Sequence, residues 1–157
     1  MRRLSIAAGC VLAAACTVEA PQSGTQAPAR PALEHITMVE PWPYPFSSAV
    51  RTGNMLYLSG QIGTRIENGA PVLVTGGIEA EARQTMENIQ AILERGKSSF
   101  DRVVKCSVML ADMREWPKLN EIYATYFPGK KPARAAWGAN GLALGARVEI
   151  DCVAIVN

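Results

Sequence analysis

The sequence predicts a mixed α and β domain behind an export segment. Three observations carry this. Several short stretches alternate apolar and polar residues or run apolar, as strands do. Two longer stretches repeat apolar residues at helical spacing. The first thirty residues have a composition of their own, an alanine-rich apolar start and then a polar, proline-containing stretch. What remains, residues 32–157, has the size of one domain and can bury about two-thirds of its unfolded surface.

The chain opens on a basic Met1-Arg2-Arg3, followed by an apolar, alanine-rich stretch from Leu4 to Ala15. A basic start, a short apolar run and small residues before a cleavage point read as a secretory signal, too short to span a membrane. Cys16, directly after Ala13-Ala14-Ala15, resembles the lipidated cysteine of a bacterial lipoprotein box. The leucine usual three places before that cysteine is Ala13 here, with Leu12 one further out. Cleavage by an ordinary signal peptidase after Ala15 or Ala20 is the alternative. The expected organisation is a signal peptide over residues 1–15, a lipidated cysteine and tether over 16–31, and the folded domain over 32–157. The tether reads TVEAPQSGTQAPAR from Thr17 to Arg30, too poor in large apolar residues to repay ordering its backbone. The expected location is the periplasm, with the protein held to a bacterial membrane through its lipid alone.

Within the domain, Asn54 to Ile62 reads as a strand ending near Ser59-Gly60, and Pro71 to Thr75 as a short second one. Ile78, Ala82, Met86, Ile89 and Leu93 fall near helical spacing, with Glu79, Glu81, Arg83 and Glu87 on the other faces. Gly96 suits the end of that helix. Val103 to Leu110 reads as a buried strand. Trp116-Pro117 opens a second helix, because proline is tolerated in a first turn. It carries Leu119, Ile122, Tyr123 and Tyr126 and stops before Pro128-Gly129. Two strands close the chain, the last through Arg147-Val148-Glu149-Ile150-Asp151.

Composition narrows the function. Formal net charge is +2. Arg2 and Arg3 fall in the signal, so the mature chain has 14 basic and 14 acidic side chains. Such a balance lacks the basic footprint that nucleic acids require. His35 is the only histidine, which leaves metal sites and histidine-based nucleophile systems little to work with. Cys106 and Cys152 each sit inside an apolar strand pattern and read as two small buried residues. Export would allow a bond between them.

The richest segment is KKPARAAWGANGLALGARVEIDCVAIV, from Lys130 to Val156. Arg134, in a Pro-Ala-Arg step, suits two-pronged binding of a carboxylate. Glu149, on what reads as the next strand, suits holding or activating a water. Together they would form the wall of one cleft; two solvated strand charges are the alternative. This block resembles the C-terminal signature of the Rid family, the YjgF-type reactive intermediate deaminases. Four further stretches resemble it in the same order. They are Gly53 to Ile62, Gln84 to Ile89, Ser99 to Lys105, and Asn120-Glu121-Ile122-Tyr123. The resemblance runs from about Ile36 to Val156.

The resemblance implies an α+β, chorismate-mutase-like Rid fold: one sheet of about six strands with two helices on one face. It implies a homotrimer with three clefts at the subunit interfaces. The implied reaction is hydrolysis of an amino-acid-derived imine or enamine to a 2-keto acid and ammonia, without metal or organic cofactor. Arg134 matches the carboxylate-binding arginine and Glu149 the water-positioning acid. Ser59 and Gly60 match the small cleft-lining pair, and Asn120 an asparagine at the edge of the site. Two positions depart from the family pattern. Phe46 stands where a tyrosine is usual, and Ala136 where a cysteine often occurs, followed by Trp137. A non-catalytic periplasmic binder of small carboxylates on the same scaffold is the alternative function.

Overall fold

A computed structural model describes residues 31–39 and 43–156. The signal peptide, Cys16 and the tether lie outside the described residues. Two hairpin strands, β1 (Leu33–Ile36) and β2 (Ala49–Thr52), lead into β3 (Met55–Leu58) and the two-residue β4 (Gln61–Ile62). Next come β5 (Thr64–Glu67), β6 (Ala70–Leu73) and helix α1 (Gly77–Arg95). Strand β7 (Val103–Leu110), helix α2 (Trp116–Tyr126), β8 (Ala133–Gly138) and β9 (Val148–Ile155) complete the order. The main sheet has seven strands, in the order β1-β2-β3-β9-β7-β8, with β4 paired to β9. Among the described residues only β7 and β8 pair in parallel, because α2 carries the chain back between them. The α+β expectation therefore holds.

The seventh strand comes from a break. The single strand expected over 54–62 is interrupted at Ser59-Gly60, where the Ser59 N–H donates to the Ser48 carbonyl at 3.0 Å. Strand β4 then resumes on β9, with Ile62 opposite Glu149. Strand β5 was not expected. It pairs with β6 through Asn68-Gly69, both at positive φ (51° and 80°). That is the Asn-Gly signature of a tight hairpin.

Both helices pack on one face of the sheet. Ala82, Met86, Ile89 and Leu93 of α1 are buried with Leu119, Ile122 and Tyr123 of α2 against Leu56, Val108, Val148 and Ile150. Each large side chain so buried contributes about 1.5–3 kcal/mol. Gly96 ends α1, but not through a left-handed conformation: its φ is −80°, and Lys97 adopts the positive φ of 61°. A Cβ at position 96 would overlap the methyls of the buried Leu56 side chain, which would have to shift.

Two expectations are corrected. Cys106 and Cys152 are fully buried, as expected, but they are bonded to each other across β7 and β9, where they stand directly opposite. Arg134 and Glu149 are not on neighbouring strands. Because β8 crosses over to pair in parallel with one edge of β7, and β9 takes the other edge, β7 separates them.

Candidate active site

Arg134 pairs in register with Cys106, and Ala136 with Val108, so both β8 residues face the helices. There the Arg134 guanidinium donates to Asn120 Oδ1 at 2.7 Å and lies 4.7 Å above the Tyr123 ring. Asn120 and Tyr123 are three apart on α2 and therefore share its face. Together they aim the arginine. Among the described residues no carboxylate pairs with it. Among the described residues the buried Tyr123 hydroxyl has no hydrogen-bond partner, and burial pushes its pKa up to about 12, opposed by the neighbouring Arg134. The phenol is a packing surface for the guanidinium rather than an acid.

Glu149 alternates with buried Val148 and Ile150 and stands opposite Met109, so it projects from the other face of the sheet. It abuts Gly60 so closely that any Cβ at position 60 would collide with its carboxylate. A side chain at position 60 would therefore displace the carboxylate from the place it occupies. Partial burial, with a smaller contribution from Asp151, raises the Glu149 pKa above the ordinary value. Among the described residues Glu149 has neither an ion pair nor a hydrogen-bond donor. The start of its strand is fixed by Glu81, whose buried carboxylate accepts the Arg147 N–H at 2.8 Å. The Arg147 guanidinium also bonds Glu115. These contacts hold β9 two residues before the acid.

Glu149 and Gly60 line a cavity of about 650 Å³ together with Phe46. Phe46 is half exposed and stacks on Tyr44, with ring centroids 5.5 Å apart. Ser59 is adjacent, but its hydroxyl donates to the Ser47 carbonyl at 2.7 Å, which ties the strand break to the preceding loop. Ala136 packs against the core beside Arg134. The expected residues therefore form two groups within one chain: Arg134, Asn120 and Ala136 beside α2, and Glu149, Gly60 and Phe46 around a cavity that also touches α1, with Ser59 next to Gly60. Tyr123, Tyr44 and Leu144 were not anticipated in the sequence reading. Tyr123 was legible as the i+3 neighbour of Asn120; Leu144 had no sequence signal.

One face of the sheet remains apolar and uncovered by helices. Tyr57, Met109, Trp137, Val153 and Ile155 lie there with Glu149 and Asp151. Trp137 and Tyr57 are nearly half exposed. Such a contiguous patch is what subunit contacts cover.

Known proteins match this chain in sequence and fold. The mouse 2-iminobutanoate/2-iminopropanoate deaminase is 44% identical over 111 residues, spanning 71% of this chain and 81% of that protein. The yeast protein YEO7 superposes with a TM-score of 0.74 at 34% identity, covering 80% of this chain and all of the other. YyfA of Yersinia pestis, a Rid protein, gives a TM-score of 0.73 at 34% identity over the same shares. Residues 39–156 match the family model described as Endoribonuclease L-PSP. That match covers most of the folded domain, and with these relatives it places the chain in the Rid/YjgF family.

Proposed function

We propose that this protein hydrolyses imines and enamines derived from amino acids to 2-keto acids and ammonia. One observation carries the reading: among the described residues, a guanidinium aimed by Asn120 and Tyr123 has no carboxylate partner, and a part-buried, raised-pKa carboxylate has neither an ion pair nor a hydrogen-bond donor. Arg134 takes the substrate carboxylate through its planar fork. Glu149 orients a water against the imine carbon and accepts its proton as the C–O bond forms. Glu149 hands that proton to the nitrogen to complete the carbinolamine; the carbinolamine hydroxyl proton then follows it to the nitrogen as the keto C=O forms, the C–N bond breaks and ammonia leaves, with Glu149 again ionised. Imines react with water unaided, so positioning supplies most of what is required. No metal or organic cofactor enters the scheme.

Within one chain the two groups lie on opposite faces of the sheet, so no single substrate reaches both. A second copy supplies the missing half. The apolar sheet face and the β8 edge offer contact surface for it, and a homotrimer gives three equivalent shared clefts. The names of the mammalian relatives support the chemistry. The description endoribonuclease finds less support in a mature chain of balanced charge.

The place of action in this reading is the periplasm, with Cys16 lipidated. The Cys106–Cys152 bond supports it, since stable disulfides belong to oxidising compartments.

The test is ammonia release from freshly generated 2-iminopropanoate, with Arg134→Ala alongside and an RNA-cleavage control. Faster release by the native protein than by Arg134→Ala is expected. Carboxylate binding at Arg134 without acceleration would leave the non-catalytic binder in its place.

A further inference from the structure

The cavity above Glu149 is far larger than a three-carbon imino acid needs. At about 650 Å³ it falls in the range that encloses drug-sized ligands. Its walls are mainly apolar: Met38, Tyr44, Phe46, Ile66 and Leu144 face it, and Glu149 reaches it from β9. The basic side chain on this wall, Arg65, turns its Nε–H to Gln84 Oε1.

Leu144 is the second, independent sign. It holds a left-handed conformation at φ 56° and ψ 13°, which L-residues with side chains avoid. It is also 60% exposed, so neither burial nor backbone preference accounts for a leucine there. Strain of this kind persists where surrounding structure enforces it, commonly at ligand sites. Gly141 and Gly145, both at positive φ, shape the turn that presents it.

We propose that this cavity seats the substrate side chain, and that the preferred substrates are 2-imino acids with large apolar side chains, branched or aromatic. The proposal rests on the deaminase reading for its reaction, though not for its cavity. The substrate's C=N carbon lies beside Glu149, its carboxylate extends toward Arg134 of a second copy, and its side chain enters the apolar space. The reaction is the same: water adds across C=N and ammonia leaves.

Each methylene buried raises affinity about fourfold. The leucine-derived imine should therefore exceed the alanine-derived one by at least about tenfold in kcat/KM. The experiment compares three imines generated in place by an amino acid oxidase: those of alanine, leucine and glutamate. In parallel, calorimetry compares binding of two keto acids, pyruvate and 4-methyl-2-oxopentanoate. Leu144→Gly is the variant. It removes the wall and relieves the strain, so its fold should survive; it should shrink the leucine-to-alanine ratio at least about fivefold.

A preference for the leucine-derived imine, narrowed in Leu144→Gly, supports the proposal. Equal or better turnover of the alanine-derived imine overturns it and leaves the deaminase reading intact. So does preference for the glutamate-derived imine, which would point to Arg65. If no imine is hydrolysed but the larger keto acid binds more tightly, the deaminase reading fails and the apolar pocket stands. If no imine is hydrolysed and pyruvate binds as well as the larger acid, both are overturned.

Discussion

Arg134 and Glu149 differ in what holds them, and this sets how each should respond to change. Asn120 and Tyr123 aim the guanidinium but leave most of its donors for a ligand. Arg134→Ala should lower kcat/KM for imine hydrolysis on the order of a hundredfold, the loss of about 3 kcal/mol of charged, bidentate contact. Arg134→Lys should recover only part, because a single ammonium lacks the fork. Steady-state kinetics reads both. Glu149 is wedged against Gly60 and its charged form is disfavoured by burial. Glu149→Gln should lower kcat while leaving carboxylate affinity nearly intact. The same shift fixes the sign of two pH effects. Activity needs the carboxylate, so the acid limb of kcat should lie above the ordinary glutamate value and vanish in Glu149→Gln. For stability, a folded pKa above the unfolded one means that the folded state binds the proton more tightly. The ionised acid then costs stability as pH rises through its folded pKa. Glu149→Gln should therefore have a higher Tm than the native protein at neutral pH and lose that advantage at low pH. The sequence showed which residues were chemically capable, since residue type and the Pro-Ala-Arg step are local. It did not show that the Glu149 carboxylate lies against Gly60, because that contact joins positions 89 residues apart.

At the scale of elements, helix periodicity and the buried strand β7 were legible because their patterns are local. Strand β7 and helix α2 begin where the sequence put them. Pairing was less legible. Nothing local states that β8 lies parallel to β7 and that β9 takes its other edge; that order separates Arg134 from Glu149. The Asn68-Gly69 hairpin was readable from its turn chemistry; β6 overlaps the strand expected from Pro71, but its partner β5, Thr-Arg-Ile-Glu, carries a single apolar residue and shows no strand pattern. The Cys106–Cys152 bond follows from the same non-local pairing, which sets the two cysteines directly opposite. It closes a loop with a sequence separation of 46, worth about 2–4 kcal/mol against the unfolded chain. Reduction, or the double change Cys106→Ala with Cys152→Ala, should lower Tm on the order of 10 °C in calorimetry. In the unreduced protein, unfolded and alkylated, peptide mapping that finds both Cys106 and Cys152 as free thiols would refute the bond.

The whole molecule joins an oxidised, two-faced domain to an amino terminus that reads as an export signal. Mass spectrometry of the membrane fraction should find residues 1–15 absent and lipid on Cys16. A soluble chain starting at an unmodified Cys16 or at Pro21 would show secretion without an anchor. A chain beginning at Met1 in the cytoplasm would end the export reading. Several anchors on one assembly would hold a bilayer more durably than one. The assembly itself bears on the central claim, that a substrate is gripped by Arg134 of one copy and hydrated beside Glu149 of another. Co-assembly of Arg134→Ala with Glu149→Gln tests this most directly. Each variant alone should be nearly inactive, but a one-to-one mixed assembly should regain about a quarter of native ammonia release. That fraction follows because chance pairing across a head-to-tail interface leaves that share of clefts with both residues. Activity that never rises above that of the two parent variants, in assemblies shown to be mixed, would contradict the shared site.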